Sequence, residues 1–114
     1  MSQLRNMTTG EVLASNVRPA KTFWRRTVGL IGRSTVTSDE GLWIDQCSAV
    51  HTMGMHVPID ILFIDREGYV LRIARAVRPN TSHVSCPLAH SVVETGVAGD
   101  LGHDVLVGDR LALV

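Results

Sequence analysis

The chain has 114 residues, of which 45% are hydrophobic and 19% are charged. This length suits one domain, since domains most often have about 100–150 residues, and the composition is that of a folded globular protein. Eleven basic and eleven acidic residues give a formal charge of zero, without the basic excess that nucleic-acid-binding proteins carry. We therefore expect a single domain over residues 1–114 that has no nucleic-acid partner.

The sequence also bears on compartment. No apolar run approaches the roughly 18 residues that cross a bilayer, and the first residues lack the apolar stretch of a signal peptide. We therefore expect a soluble, cytoplasmic protein with no membrane partner. In that reducing compartment Cys47 and Cys86 are predicted to be reduced thiols that fill space, although sequence separation leaves open whether they form a bridge.

The first third of the chain predicts one strand and one helix. Residues 11–17 have a weak strand pattern, which Pro19 is expected to interrupt. The residue before a proline also avoids helical geometry. Thr22 is a suitable N-cap for a helix over about residues 23–31. The apolar side chains of that helix fall on one side, and Gly32 suits its end. Such a short helix must dock onto a sheet to be stable.

From Gly41 onward the pattern changes to short β-strands. Residues 41–46 and 50–55 are two predicted strands. A hairpin follows, with strands over 59–64 and 69–77 joined by Asp65-Arg66-Glu67-Gly68, because an Asp that opens a turn and a Gly three residues later suit a tight turn. After the hairpin we predict a loop at 79–82 and a helical turn that Ser85 caps, with Pro87 inside it. A strand at 91–95 and a turn at 99–102 follow. The chain then bends at Gly108-Asp109 and ends in a last strand at 110–114.

Seven or eight short strands separated by turns are typical of an antiparallel β-sandwich or barrel. Motifs spread over roughly residues 12–114 resemble those of domain-of-unknown-function family 192 (DUF-192). The resemblance implies a mainly β, jelly-roll-like fold with small helices and no agreed activity. The matching residues are Arg26-x-x-Gly29-Leu30, Gly41-Leu42, His51-Thr52-x-Gly54-Met55-x-x-Pro58-Ile59-Asp60-x-x-Phe63-x-Asp65, Val93-Glu94, Gly99 and Gly108-Asp109. The better-known branch of that family has Trp-Met-Lys-Asn-Thr where this chain has residues 51–55.

Residues 51–55 contain a pattern of soft metal ligands. His51, Met53 and Met55 alternate and would share one face of a strand, and thiol, thioether and imidazole groups suit copper or zinc. However, residues four apart on a strand lie about 13 Å apart, so one strand cannot close such a site. Two Cys-x-x-x-His pairs, Cys47/His51 and Cys86/His90, also suggest zinc, but we favour core and core-edge roles and expect no metal and no cofactor.

Two carboxylates are stronger candidates for a site. Asp60 and Glu94 lie within apolar strands, where a buried charge must be paired, bonded to backbone N–H groups or neutralised. A structural pairing, for example with an arginine such as Arg26, is the interpretation we favour. A contact to a ligand and acid–base catalysis are the alternatives.

Three hypotheses for function follow. The first is a non-enzymatic module that binds an unknown small molecule or protein, with its pocket near His51, Asp60 and Glu94. The second is a small hydrolytic or metal-assisted enzyme that uses Asp60 or Glu94 as acid or base, and the third is a purely structural or assembly protein. The sequence contains no nucleophile elbow, phosphate loop or HExxH motif, so we predict no catalytic residue. The predicted ligand-contacting residues are Arg26, His51, Thr52, Met55, Asp60 and Glu94.

Overall fold

Nine β-strands make up the described part of the protein, in a computed structural model that describes residues 2–20, 33–97 and 105–114. These residues contain no helix, and so none that is long and apolar enough to span a membrane. The strands are β1 (Ser2–Asn6), β2 (Val12–Ala20), β3 (Glu40–Asp45), β4 (Ala49–Val50), β5 (Ile59–Ile64), β6 (Val70–Val77), β7 (Val84–Ser85), β8 (Ser91–Gly96) and β9 (Leu111–Leu113).

Seven of these strands form one sheet, in the order β6-β5-β8-β3-β2-β1-β9, and β4 pairs with β7 in a second sheet. The mainly β class is confirmed, but the antiparallel sandwich or barrel needs two corrections. First, β2 and β3 are parallel, because the connection from residue 21 to residue 39 is long enough for a crossover. Second, the sheet is not closed into a barrel: its edge strands β6 and β9 do not pair as a ladder in the described residues, and an isolated bridge between Tyr69 and Arg110 lies just before them.

The seven-stranded sheet buries apolar side chains on both faces, and all six residues of β5 are buried. One face, together with β4 and β7, forms the front core, and the sheet curls around the rear core. The front core contains Ala20, Leu42, Ile44, Val50, Met55, Ile59, Ile61, Phe63, Val84 and Val92. The rear core contains Leu4, Leu13, Ala14, Val17, Leu62, Ile64, Val70, Val93, Val105 and Leu111.

The first predicted strand is confirmed, but β2 continues through Pro19 to Ala20. The expected interruption is wrong because a proline is tolerated in a strand where its missing N–H faces no partner. On one side, Pro19 lies opposite Trp43 of β3. On the other side, β1 begins at Ser2, opposite Val17, so the described part of β1 does not reach the proline.

The hairpin prediction is confirmed. Strands β5 and β6 pair as antiparallel neighbours, and Gly68 has the positive φ of 98° that the end of the turn requires. The amide of Gly68 donates to the carbonyl of Asp65 at 3.1 Å. The Asp65 Oδ1 atom accepts from the amides of Glu67 and Tyr69 at 3.0 and 2.9 Å. Asp65 and Gly68, on which the hairpin prediction rests, therefore also make the hydrogen bonds that close the turn.

The strand predicted over residues 50–55 is wrong beyond Val50, where β4 ends. Gly54 adopts a positive φ of 82°, and Met53 is exposed whereas Met55 is buried. The three alternating residues His51, Met53 and Met55 therefore do not share one face. Hydrogen bonds between Thr52 and residues 78–81 replace a strand ladder here.

The helix predicted over 23–31 and the turn predicted over 99–102 lie outside the described residues. The helical turn predicted after Ser85 is instead a single turn closed by a hydrogen bond from the Ala89 amide to the Cys86 carbonyl. The strand predicted over 91–95 is confirmed as β8, and the bend at Gly108 with the strand after it is confirmed by a φ of 96° and by β9.

Candidate functional site

Asp60 stabilises an irregularity of the sheet. Its side chain is 3% exposed, and the register of β5 against β6 shifts at this position, so that Arg75 and Ala76 together oppose it. This is a β-bulge, and Ala76 within it has a positive φ of 47°. Asp60 Oδ1 accepts from the Ala76 amide at 2.7 Å, and Asp60 Oδ2 lies 3.6 Å from Nη1 of Arg75. The carboxylate thus has the structural pairing expected of a buried charge.

Glu94 lies on the other face of the same sheet. In the β5–β8 ladder Asp60 is opposite Thr95, and Glu94 is opposite Ile61. Directly opposed residues project to one face and successive residues alternate, so Glu94, which is 2% exposed, faces the front core with Ile61 while Asp60 faces the rear core. The sheet separates the two carboxylates, and an enzyme that uses both in one cleft has no support from this geometry.

Thr52 holds a loop in place. Its side chain is completely buried, and its hydroxyl donates to the Arg78 carbonyl at 2.6 Å and accepts from the Thr81 amide at 2.9 Å. Its backbone amide donates to the Thr81 carbonyl at 2.9 Å, and its carbonyl accepts from the Asn80 amide at 2.8 Å. Asn80 has a positive φ of 60°. All four of these bonds connect Thr52 to residues 78–81.

The other sequence-predicted site residues have different surroundings. Met55 is buried in the front core, and Nδ1 of the half-buried His51 accepts from the Met53 amide at 3.1 Å. Arg26 lies outside the described residues. Among described residues, no three His, Cys, Asp or Glu side chains form a group that could hold a metal ion. Met55 and Glu94 therefore lie toward the front core, apart from Asp60. The role of all six residues in ligand contact stays a prediction.

The two cysteines lie beside the small sheet. Cys47 and Cys86 are thiols without a disulfide, and both pack against the front core, as the sequence predicts. The Cys86 amide donates to the Ser48 carbonyl at 2.9 Å, and the Cys47 thiol donates to the Ala49 carbonyl at 3.2 Å. Their role in the described structure is to extend the β4–β7 layer over the core.

A small recess opens beside Asp60 on the rear face of the sheet. Its volume is about 20 Å³, which suffices for one water molecule. Its polar lining consists of Asp60, Arg75 and Thr95, and the rest is apolar. The apolar lining residues are Leu4, Leu13, Leu62 and Val105. A recess of this size does not admit a larger ligand without movement of its walls.

A larger groove lies at the other end of the same face. We call it the Trp43 groove, and its volume is about 300 Å³. It lies where the end of β3, the β5–β6 turn, the start of β8 and the strand β9 come together. Its lining residues are Trp43, Asp45, Asp65, Arg66, Glu67, Gly68, His90, Ser91, Arg110, Leu111, Ala112 and Leu113.

The sequence prediction missed the polar residues of this groove. Asp45 and His90 stand at strand ends, where functional side chains are often found, and this position is the one signal that could have indicated them. Nothing in the sequence places Asp45, His90 and Arg110 together, because the β3–β8 pairing and the position of β9 at the sheet edge bring them to one place.

The DUF192 family model, whose description reads "Uncharacterized ACR", matches residues 4–113. The chain belongs to the DUF192 family. The Asp60 bulge contact and the Glu94 position thus occur at motif residues of a DUF192 protein. None of the curated proteins compared with this DUF192 chain matches it significantly.

Two solved structures are similar to this DUF192 protein. One is from Sinorhizobium meliloti 1021, and its name describes it as a proposed transcription regulator. It has a TM-score of 0.82 and 22% identity, and the match covers 98% of this chain and 92% of that chain. The other, from Novosphingobium aromaticivorans DSM 12444, is named a protein of unknown function; it has a TM-score of 0.79 and 19% identity over 98% of this chain and 84% of its own. At these identities the likeness shows a shared fold.

Proposed function

We propose that this protein is a non-enzymatic binding module and that it binds a small ligand in the Trp43 groove. The observation that carries the proposal is that Trp43, Asp45, His90 and Arg110 all line one concave space. Its volume of about 300 Å³ is at the lower end of the range of small-molecule sites, which combine apolar walls with a few placed polar groups.

The carboxylate in this groove is held in one orientation. Asp45 Oδ1 accepts from Nε1 of Trp43 and from Oγ of Ser91, both at 2.8 Å. The Asp45 side chain is exposed, whereas Ser91 is 2% exposed. Both bonds end on Oδ1, so Oδ2 takes part in neither. Polar groups that are fixed before binding lose less conformational entropy when a ligand arrives.

The opposite wall is also constrained. Nε of Arg110 donates to the Glu67 carbonyl at 3.1 Å. This bond holds the exposed Arg110 side chain against the β5–β6 turn. The His90 amide donates to the Ile64 carbonyl at 2.8 Å, so the backbone that carries the imidazole is tied to β5. The groove is therefore built from parts that the fold already positions.

A screen of a fragment library by thermal shift and by chemical-shift mapping tests this proposal. We expect compounds that raise the Tm and perturb the Trp43 indole and His90 signals, with binding weakened at least about tenfold in the Asp45→Asn, Arg110→Gln double variant. Asparagine retains the acceptor for Trp43 and Ser91, so the fold should persist. The control is Glu11→Gln, a change at an exposed carboxylate outside the groove. Binders that map elsewhere, or a screen without any binder, would overturn the proposal.

A further inference from the structure

We infer that the Trp43 groove takes a neutral, polyhydroxylated ligand, such as one ring of a sugar. This inference rests on the proposed binding function and adds the chemical class of the ligand. It follows from three properties of the lining: the mixture of charge signs, the supply of both donors and acceptors, and the apolar wall beside them.

The charges that line the groove have both signs. Asp45, Asp65 and Glu67 are acidic, whereas Arg66 and Arg110 are basic. A compact anion would lie near three acidic residues, and a compact cation would lie near two arginines. Each would therefore meet repulsion together with attraction, and each would also lose its hydration. A neutral ligand avoids that repulsion.

The polar groups offer hydrogen bonds in both directions. The carboxylate of Asp45 is an acceptor, the guanidinium of Arg110 is a donor, and the imidazole of His90 can serve as either. A hydroxyl group both donates and accepts. Several hydroxyl groups on one ring can therefore use the acidic and the basic sides of the groove at the same time, which a ligand with only acceptors or only donors cannot do.

The remaining wall is apolar. Trp43 packs against the rear core together with Leu113, and both residues line the groove. The indole N–H donates to Asp45, so the ring is fixed and places a large apolar surface beside a carboxylate. Tryptophan combines such a surface with a polar edge. The C–H face of a pyranose ring is apolar while its hydroxyl groups point outward, and it matches this combination.

A fluorescence titration tests the ligand class. The chain has two tryptophans, Trp24 and Trp43, so the Trp24→Phe variant reports on Trp43 alone. The probes are D-glucose, D-galactose, N-acetyl-D-glucosamine and maltose, with citrate and choline as the charged comparison. We expect a saturable change with at least one sugar, about the same at low and high NaCl because the ligand carries no charge. If the variant does not fold, saturation-transfer NMR on the natural chain replaces it.

The variants then locate the bound sugar. Asp45→Asn should weaken its binding about tenfold, and Glu11→Gln should leave it unchanged. If only citrate or only choline binds in the groove, this inference is overturned while the proposed binding function stands. If neither the sugars nor any fragment binds there, both fail.

Discussion

The side-chain amide of Asn6 donates to Oδ2 of Asp109 at 2.8 Å, across 103 residues of sequence. Asn6 is completely buried and Asp109 is 8% exposed. Asn6 Oδ1 accepts from the Thr8 amide at 3.0 Å, and Asp109 Oδ2 accepts from the Leu106 amide at 3.0 Å. This side-chain bond therefore helps to join the turn after β1 to the turn before β9, and it accounts for the Asp of the Gly108-Asp109 motif.

The first prediction concerns this pair. Asn6→Ala and Asp109→Ala should each lower the free energy of unfolding by about 1–3 kcal/mol, because each leaves buried polar groups without their partner. Urea denaturation of both variants and of the double variant gives the coupling, which we expect to be about 1 kcal/mol or more. Effects that simply add would show that the two side chains act independently, and Glu11→Gln should have little effect.

The second prediction concerns the bulge beside Asp60. Asp60→Ala should cost about 1–3 kcal/mol, because the Ala76 amide loses the charged acceptor that holds the bulge. Arg75→Gln should cost less than about 1 kcal/mol, because the Arg75 side chain is 46% exposed and exposed ion pairs contribute little. Asp60→Asn retains an acceptor oxygen and should fall between them. Chemical denaturation measures all three, and an Arg75→Gln loss as large as that of Asp60→Ala would assign the stabilisation to the ion pair instead.

The third prediction concerns Thr52. Thr52→Val should destabilise the protein by about 1–3 kcal/mol, because the hydroxyl that bonds the Arg78 carbonyl and the Thr81 amide is lost in a buried place. Thr81→Val is the matched control: its hydroxyl also donates to the Arg78 carbonyl, at 2.8 Å, but that carbonyl still accepts from Thr52. Amide hydrogen exchange should accelerate at residue 81 in Thr52→Val. Equal effects of the two variants would contradict the central role of Thr52.

The fourth prediction concerns close backbone packing at Gly96. A Cβ atom there would overlap the carbonyl oxygens of Thr37 and Val36, and backbone cannot move aside as a flexible side chain can. Gly96→Ala should therefore cost about 1–3 kcal/mol or more. Gly10→Ala is the comparison, because Gly10 has a φ of 84° but nothing within 4 Å of an added Cβ, so its cost is conformational strain of about 1–2 kcal/mol. A Tm loss for Gly96→Ala no larger than for Gly10→Ala would refute the overlap.

Local patterns predicted the elements that local chemistry fixes. The β5–β6 hairpin follows from Asp65 and Gly68, which act within one turn. The strand β1 was missed because Leu4 is its one buried hydrophobic residue, and its second fully buried side chain is the polar Asn6. The strand predicted over 50–55 was wrong because Thr52 bonds to residues 78–81, and no local pattern reveals partners that lie so far along the chain.

The sequence by itself determined the β class, the family resemblance and the fact that Asp60 and Glu94 are buried, because alternation of side chains along a strand and the composition of its turns are local properties. Only the tertiary structure decided which charges meet. Strand register sends Asp60 and Glu94 to opposite faces, and the order of strands in the sheet brings Trp43, Asp45, His90 and Arg110 to one groove. The physical reason is that a shift of one residue in register reverses the face of every side chain, and register depends on partners that are distant in sequence.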